Sequence, residues 1–108
     1  MKQFIFKNIN IYLGEDRKEN WSLLETSRPD DVFVHLNSFQ SGHVRTETNI
    51  FDIEVILHAG KICRQYSKYK KLKDLKICYC KYSNVLKGKK KGEVLFKSNR
   101  QVKKIKLN

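Results

Sequence analysis

Residues 31 to 67 read DVFVHLNSFQSGHVRTETNIFDIEVILHAGKICRQYS, and two hydrophobic periods meet in that stretch. Val32-Phe33-Val34 is continuously apolar, as a strand covered on both faces must be, so Asp31 to Leu36 reads as a strand at the centre of a sheet. Asn37 to Gly42 has turn residues at both ends, and His43-Val44-Arg45 reads as a second short strand, so His35 and His43 flank one loop. From a cap at Thr48 or Asn49 the period changes. Ile53, Ile56, Leu57, Gly60, Cys63 and Tyr66 recur at three- and four-residue spacing, which predicts a helix to about Ser67 with one apolar stripe. A central strand with a long amphipathic helix to lie across it points to the α+β class.

Upstream, apolar residues alternate through Phe4 and Phe6 and again through Ile9, Ile11 and Leu13, which gives a two-strand opening that ends in a turn at Gly14. Glu15 and Asp16 then precede Trp21, Leu23 and Leu24, a short helix with acids at the positive end of its dipole, broken at Ser27-Arg28-Pro29-Asp30. Downstream, Leu75 to Tyr82 alternates as a strand. Gly88 and Gly92 bracket the basic loop Lys89-Lys90-Lys91, and Glu93–Phe96 with Gln101–Leu107 form a closing hairpin around Ser98-Asn99-Arg100. Residues 1 to 108 thus make a single domain: a mixed or antiparallel sheet of about five to seven short strands, packed by one long helix and one short helix.

The formal net charge is +12, and it is unevenly placed. Residues 1 to 60 hold six Lys/Arg against nine Asp/Glu; residues 61 to 108 hold seventeen against two. A surplus this lopsided costs self-repulsion, so a merely solvated lysine face explains it poorly, whereas a polyanion that releases counterions on binding explains it well. Cations near a helix C-terminus contribute about 0.3–1 kcal/mol each at most, too little to account for Arg64, Lys68, Lys70 and Lys71 together. No apolar run approaches the roughly 20 residues of a membrane span. The N-terminal alternation lacks the apolar stretch and small-residue cleavage site of a signal peptide, so the expected location is cytoplasmic, with the nucleus as the alternative. Cys63, Cys78 and Cys80 lack CxxC spacing and read as free thiols.

Tyrosines interleave with cations twice: Tyr66 and Tyr69 among Arg64, Lys68, Lys70 and Lys71, and Tyr79 and Tyr82 among Lys76, Lys81 and Lys87. Cations hold phosphates and rings stack on unpaired bases. Tyr66 and Tyr79 read as core residues with wet hydroxyls, which leaves Tyr69 and Tyr82 as the stacking candidates. His35 and His43 carry two readings of equal weight, as donors to phosphate or base and as structural residues that tie down the loop. Zinc held by Cys78, Cys80, His35 and His43 fits poorly, because residues two apart on a strand do not reproduce knuckle geometry. His58 and Cys63 project apart around the helix, the acids lie in solvent-like segments, and no GxxxxGK[ST] or GxGxxG segment is present. The expectation is therefore no catalytic residue, no metal, no cofactor and no small-molecule substrate.

The blocks IYLGEDRKEN (Ile11 to Asn20), DDVFVHL (Asp30 to Leu36), SGHV (Ser41 to Val44), EVILHAGKICRQYSK (Glu54 to Lys68) and KICYCKYSNVLKGKKKGEVLF (Lys76 to Phe96) stand in an order that resembles the NFACT-R domain. That is the RNA-binding domain of the NFACT proteins of ribosome-associated quality control. Within the family the chain looks most like the small eukaryotic coiled-coil domain-containing protein 25 branch, and the sequence stops at Asn108, before the position of that branch's charged tail. Phe33 stands where the family more often has Trp, a swap that preserves packing. His35 and His43 match the family's two histidine positions. The resemblance implies a nucleic-acid-binding module, with transfer or ribosomal RNA and the large ribosomal subunit as the implied partners in translation quality control. DNA is the alternative polymer, and a ribosome-docking adaptor the alternative role. On this reading Arg64, Lys68, Lys70, Lys71, Lys76, Lys87, Lys89, Lys90 and Lys91 grip phosphates, while His35, His43, Arg45, Tyr69 and Tyr82 complete the contact surface.

Overall fold

Lys7 and Asn8 both adopt positive φ, 51° and 62°, the conformation of a two-residue hairpin turn whose twist suits the strands it joins. In the computed structural model, which describes residues 1 to 107, this turn pairs Lys2–Phe6 (β1) with Ile9–Leu13 (β2) from Lys2↔Leu13 to Phe6↔Ile9. Arg17–Thr26 (α1) starts at Asp16, whose carboxylate accepts from Glu19 N at 2.8 Å, while the Glu19 carboxylate accepts from Glu15 N at 2.9 Å. One donor that the helix start leaves unpaired is thereby satisfied, and the residue that leads into the cap is tied to the first turn.

Val32–Leu36 (β3) lies at the centre, between Val44–Thr46 (β4) and Lys76–Lys81 (β5). With Lys103–Lys106 (β8) at the far edge, the six-stranded sheet runs β1-β2-β4-β3-β5-β8, antiparallel at every step. Val32, Val34 and Leu36 face Ile53–Gln65 (α2) in the larger core, with Val55, Ile56, Ala59, Ile62 and Cys63 from the helix. Phe33 points the other way, into a second core with Cys80, Tyr82, Val85, Leu24 of α1, Val94 and Phe96. The central strand is covered on both faces, as its unbroken apolar run requires.

Three expectations are corrected. Val94–Phe96 (β7) pairs with Val85–Lys87 (β6) in a separate ribbon, and β8 joins the main sheet against β5, so the expected closing hairpin does not form. The reason is a clasp: the Asn84 carboxamide donates to Ser98 O and accepts from Ser98 N, both at 2.9 Å, and a 3₁₀ turn at Asn99–Gln101 then sends the chain back to the sheet. Helix α2 begins after Asp52, whose carboxylate accepts from Glu54 N and Val55 N at 2.9 and 3.3 Å, and Thr48 and Asn49 stay outside it. Its buried face is the paired set 55/56, 59/60 and 62/63, so the expected stripe holds at Ile56, Gly60 and Cys63. Ile53 is exposed, and Tyr66 is the exposed C-cap.

Arg45, expected on the contact surface, is buried. Its Nη1 donates to Thr26 Oγ1 at 2.9 Å, Nε lies 3.7 Å from Asp31 Oδ2, Nη2 lies 3.5 Å from Glu47 Oε2, and the guanidinium rests on the Tyr12 ring at 4.7 Å. It ties α1, β2 and β4 together.

The helix register gives a direct test. Ile56 is 1% exposed and Ile53 is 44% exposed. In urea unfolding, Ile56→Ala should lower stability by about 2–5 kcal/mol, whereas Ile53→Ala should change it by less than about 0.5 kcal/mol.

Candidate nucleic-acid interface

The loop between β3 and β4 is held by backbone contacts too close for side chains. A Cβ on Gly42 would lie 2.2 Å from the Gly14 carbonyl oxygen, so the loop presses directly on the end of β2. Gly14 N donates to His43 O at 2.9 Å, and His43 N donates to the carboxamide of Asn20, a buried residue of α1, at 3.1 Å. From the opposite side, Gly92 has φ +84°, and a Cβ there would sit 2.7 Å from Arg17 Cβ, so the Lys89–Lys91 loop lies against the first turn of α1. Trp21 Nε1 donates to Glu93 O at 2.9 Å and fixes the start of β7 to the same helix.

These contacts bring the histidine loop and the lysine loop together around α1. The result is a cleft of 330 Å³ between Arg17, His35, Gln40, His43, Lys90 and Lys91. Arg17, Asn20, Gln40 and Ser41 also line an adjoining depression that reaches Tyr66 and Lys68 beyond the end of α2 and is lined as well by Glu15 and Asp16 at the start of α1. Lys68, Lys90, Lys91 and Arg17 therefore surround one continuous surface, and none has a carboxylate within 4 Å among the described residues.

The floor of this cationic cleft is uncharged. His43 is buried, and its pKa is lowered to about 3, first by desolvation and then by the neighbouring His35. Burial lowers His35 as well. The rings stand 5.1 Å apart at 82°, and each faces Phe33, His43 at 5.2 Å and His35 at 6.1 Å. Both are neutral near pH 7, and a neutral imidazole offers one donor and one acceptor. Glu93 Oε1 accepts from Lys89 N at 3.0 Å, so this acid shapes the lysine loop.

Of the residues singled out from the sequence, His35, His43, Lys68, Lys90 and Lys91 converge here, with Lys89 exposed in the same loop. Arg64, in the last turn of α2, Lys70 and Lys71 in the turn that follows, and Lys76 on β5 do not line it. Lys87 pairs with Glu25 and lies 4.9 Å from the Trp21 ring, so it staples the ribbon to α1. Tyr69 is half-buried, with its ring 4.8 Å from Phe39. Tyr82 corrects the stacking expectation: it is 3% exposed, stands edge-on to Phe33 at 5.5 Å, and its hydroxyl donates to Val44 O at 3.4 Å. Strand alternation carries on into the 3₁₀ turn after β5 and turns this ring inward. Arg17, Asn20, Gln40 and Ser41 were missed, because nothing local marks the start of α1 as the meeting point of two distant loops.

Burial keeps the thiols protonated, pushing Cys78 and Cys80 up to about 11 and Cys63 further. His58 stacks on Phe6 at 4.2 Å, away from Cys63. Among the described residues no three His, Cys, Asp or Glu side chains group to hold a metal, and no helix is long and apolar enough to cross a membrane.

The neutral histidines give stability a pH dependence. Between His43's folded value of about 3 and the unfolded value of about 6.5, the unfolded chain binds more protons, so stability is complete above the upper limit and falls on acidification. From about pH 6.5 to about pH 5, where carboxylates remain ionised, unfolding free energy should drop for this one ring with a slope that grows from about 0.7 to about 1.4 kcal/mol per pH unit. His43→Gln should flatten that part of the curve in urea titrations; an unchanged slope would show that the ring titrates freely in the fold.

Residues 3–103 match the family described as the NFACT protein RNA binding domain. Two relatives are coiled-coil domain-containing protein 25 of Danio rerio, 29% identical over 102 residues, and its homolog in Dictyostelium discoideum, 31% identical over 101. The matches cover 86% and 85% of this chain and 49% of each relative, so the chain spans about half the length of both. A solved structure, the C-terminal part of the fibronectin/fibrinogen-binding protein from Streptococcus suis, shares the fold with a TM-score of 0.85 at 16% identity, over 97% of this chain and 43% of that one. With the family match running from β1 into β8, this chain belongs to the NFACT RNA-binding domain family.

Proposed function

We propose that this RNA-binding module is non-catalytic and holds RNA along the cleft between α1, the histidine loop and the Lys89–Lys91 loop. The observation that carries the reading is the convergence of Arg17, Lys68, Lys90 and Lys91, unpaired with acids among the described residues, around a neutral floor. Cations at the rim attract phosphates, and the imidazoles and the Gln40 amide supply directional hydrogen bonds to sugars or base edges. The proposed partners are transfer or ribosomal RNA at the large ribosomal subunit, in translation quality control and in the cytoplasm. Family membership supports that setting, and the charge distribution suits it. Thiols that burial keeps protonated suit a role without chemistry.

Binding of labelled transfer RNA, single-stranded RNA and duplex DNA across a salt series tests the reading. Log affinity should fall linearly with log salt, with a slope of about −0.7 for each phosphate held on a single strand. The Arg17→Ala/Lys90→Ala/Lys91→Ala variant should lose about two units of slope, while Lys87→Ala, which removes a cation engaged within the fold, should leave the slope unchanged. Equal slopes for wild type and triple variant would remove the phosphates from this cleft. Equal affinity for duplex DNA would make the module a general polyanion binder, and weak RNA binding with firm sedimentation on ribosomal subunits would make it an adaptor.

A further inference from the structure

Next to the cationic cleft, and sharing His35 and Val94 with it, lies a groove of 290 Å³ between the β3–β4 loop and β7. Phe33 and His35 form its floor, with their rings within 16° of parallel, and Phe96 meets Phe33 edge-on at 5.8 Å. One wall is Phe39, 36% exposed, at the tip of a turn in which Ser38 takes φ +66°. Tyr69 backs it. The side chains of Asn37 and Ser38 stand at the same rim and bond weakly to each other at 3.4 Å.

Sheet register places charge on the far side of this groove. His35 is opposite Cys78 on β5, and Cys78 is opposite Lys104 on β8. Directly opposed residues of antiparallel strands share a face, so Lys104 lies on the face of the sheet that carries the groove. Lys76 and Lys106 form the next opposed pair on that face, Lys106 being paired with Asp74 at 2.9 Å. The groove is thus apolar and aromatic within, amide- and hydroxyl-bearing at one rim, and flanked by Lys90 and Lys91 on one side and Lys104 on the other.

We propose that this groove receives one unpaired nucleobase of the RNA strand, whose neighbouring phosphates rest on the Lys90–Lys91 side and on Lys104. The proposal deepens the reading of the cleft as an RNA site and rests on it. A base has the flat face that Phe39 and the half-buried His35 ring can stack on, a polar edge for Asn37 and Ser38, and an anionic link on each side to match the lysines. An apolar peptide side chain would fill the groove and leave the lysines on both flanks unused. A base within a duplex cannot enter, because it is stacked and paired. The module is therefore selective for single-stranded or extruded nucleotides.

The test uses the whole chain with three probes of matched length: single-stranded oligouridine, the same strand with abasic residues in place of the bases, and blunt duplex RNA. At one salt concentration the intact strand should bind about ten-fold more tightly than the abasic strand, the value of one base stack. Phe39→Ala and Phe39→Leu, which both remove the aromatic face, should bring that ratio to about one while leaving the salt slope as in wild type. Lys104→Ala should keep the ratio and reduce the slope. Equal binding of intact and abasic strands, tighter binding of the duplex, or a ratio unchanged in both Phe39 variants would overturn the groove proposal while the phosphate cleft stands. Weak, salt-independent binding of all three probes would overturn the RNA site itself.

Discussion

Phe33 sits on a strand that has no solvent face. Once Val32, Val34 and Leu36 are committed to α2, every side chain on the alternate face of β3 needs a second covering layer, which α1 and the β6–β7 ribbon supply. Four rings pack on Phe33: His35, His43, Tyr82 and Phe96. That second layer is where the candidate interface lies. The histidines are desolvated because they neighbour Phe33, and the lysine loop is near them because the ribbon that covers Phe33 carries it.

The net positive charge is consequently sorted by the fold. Arg45, Lys81 and Lys87 are basic in the sequence but structural in the molecule. Arg45 faces Asp31 and Glu47, Lys81 donates to Asp30 O and Asn49 O, and Lys87 meets Glu25. Glu25, Asp31 and Glu47 find their partners in this way, and the cations without a carboxylate partner among the described residues lie on α1, α2, the loops and the strands. Charge counted along the chain overstates the number of residues available to a polyanion and understates how closely the available ones are grouped.

What was legible followed from local physics. The unbroken apolar run of β3, the period of α2 and the turn chemistry of the lysine loop each depend on neighbours within a few residues, and each was read in kind. The misreadings were non-local. Val94–Phe96 and Lys103–Lys106 are short strands whose pattern suits either partner, and the Asn84–Ser98 clasp decides between them. Tyr82 lies two residues beyond Cys80 on an alternation that keeps both inside, a clue present in the sequence and outweighed by the lysines around it. Glu47, two residues from Arg45, was a similar local hint that this arginine had an internal partner. For Arg17 no such hint existed, since its place in the cleft depends on a glycine in the lysine loop that lets the backbone approach.

A neutral floor beneath a cationic rim has a consequence for discrimination. If the histidines were charged, the cleft would bind phosphate wherever it was offered, on duplex or strand, and affinity would track charge alone. Burial holds the imidazoles neutral, so they add donors and acceptors without adding field. On the proposed reading, the directional and aromatic part of the surface, His35, Gln40, Asn37 and Phe39, would distinguish one polymer from another, while the lysines would set affinity and its dependence on salt. That division follows from one energetic fact: ionising a ring packed against Phe33 costs far more than exchanging a surface lysine's counterions for phosphate.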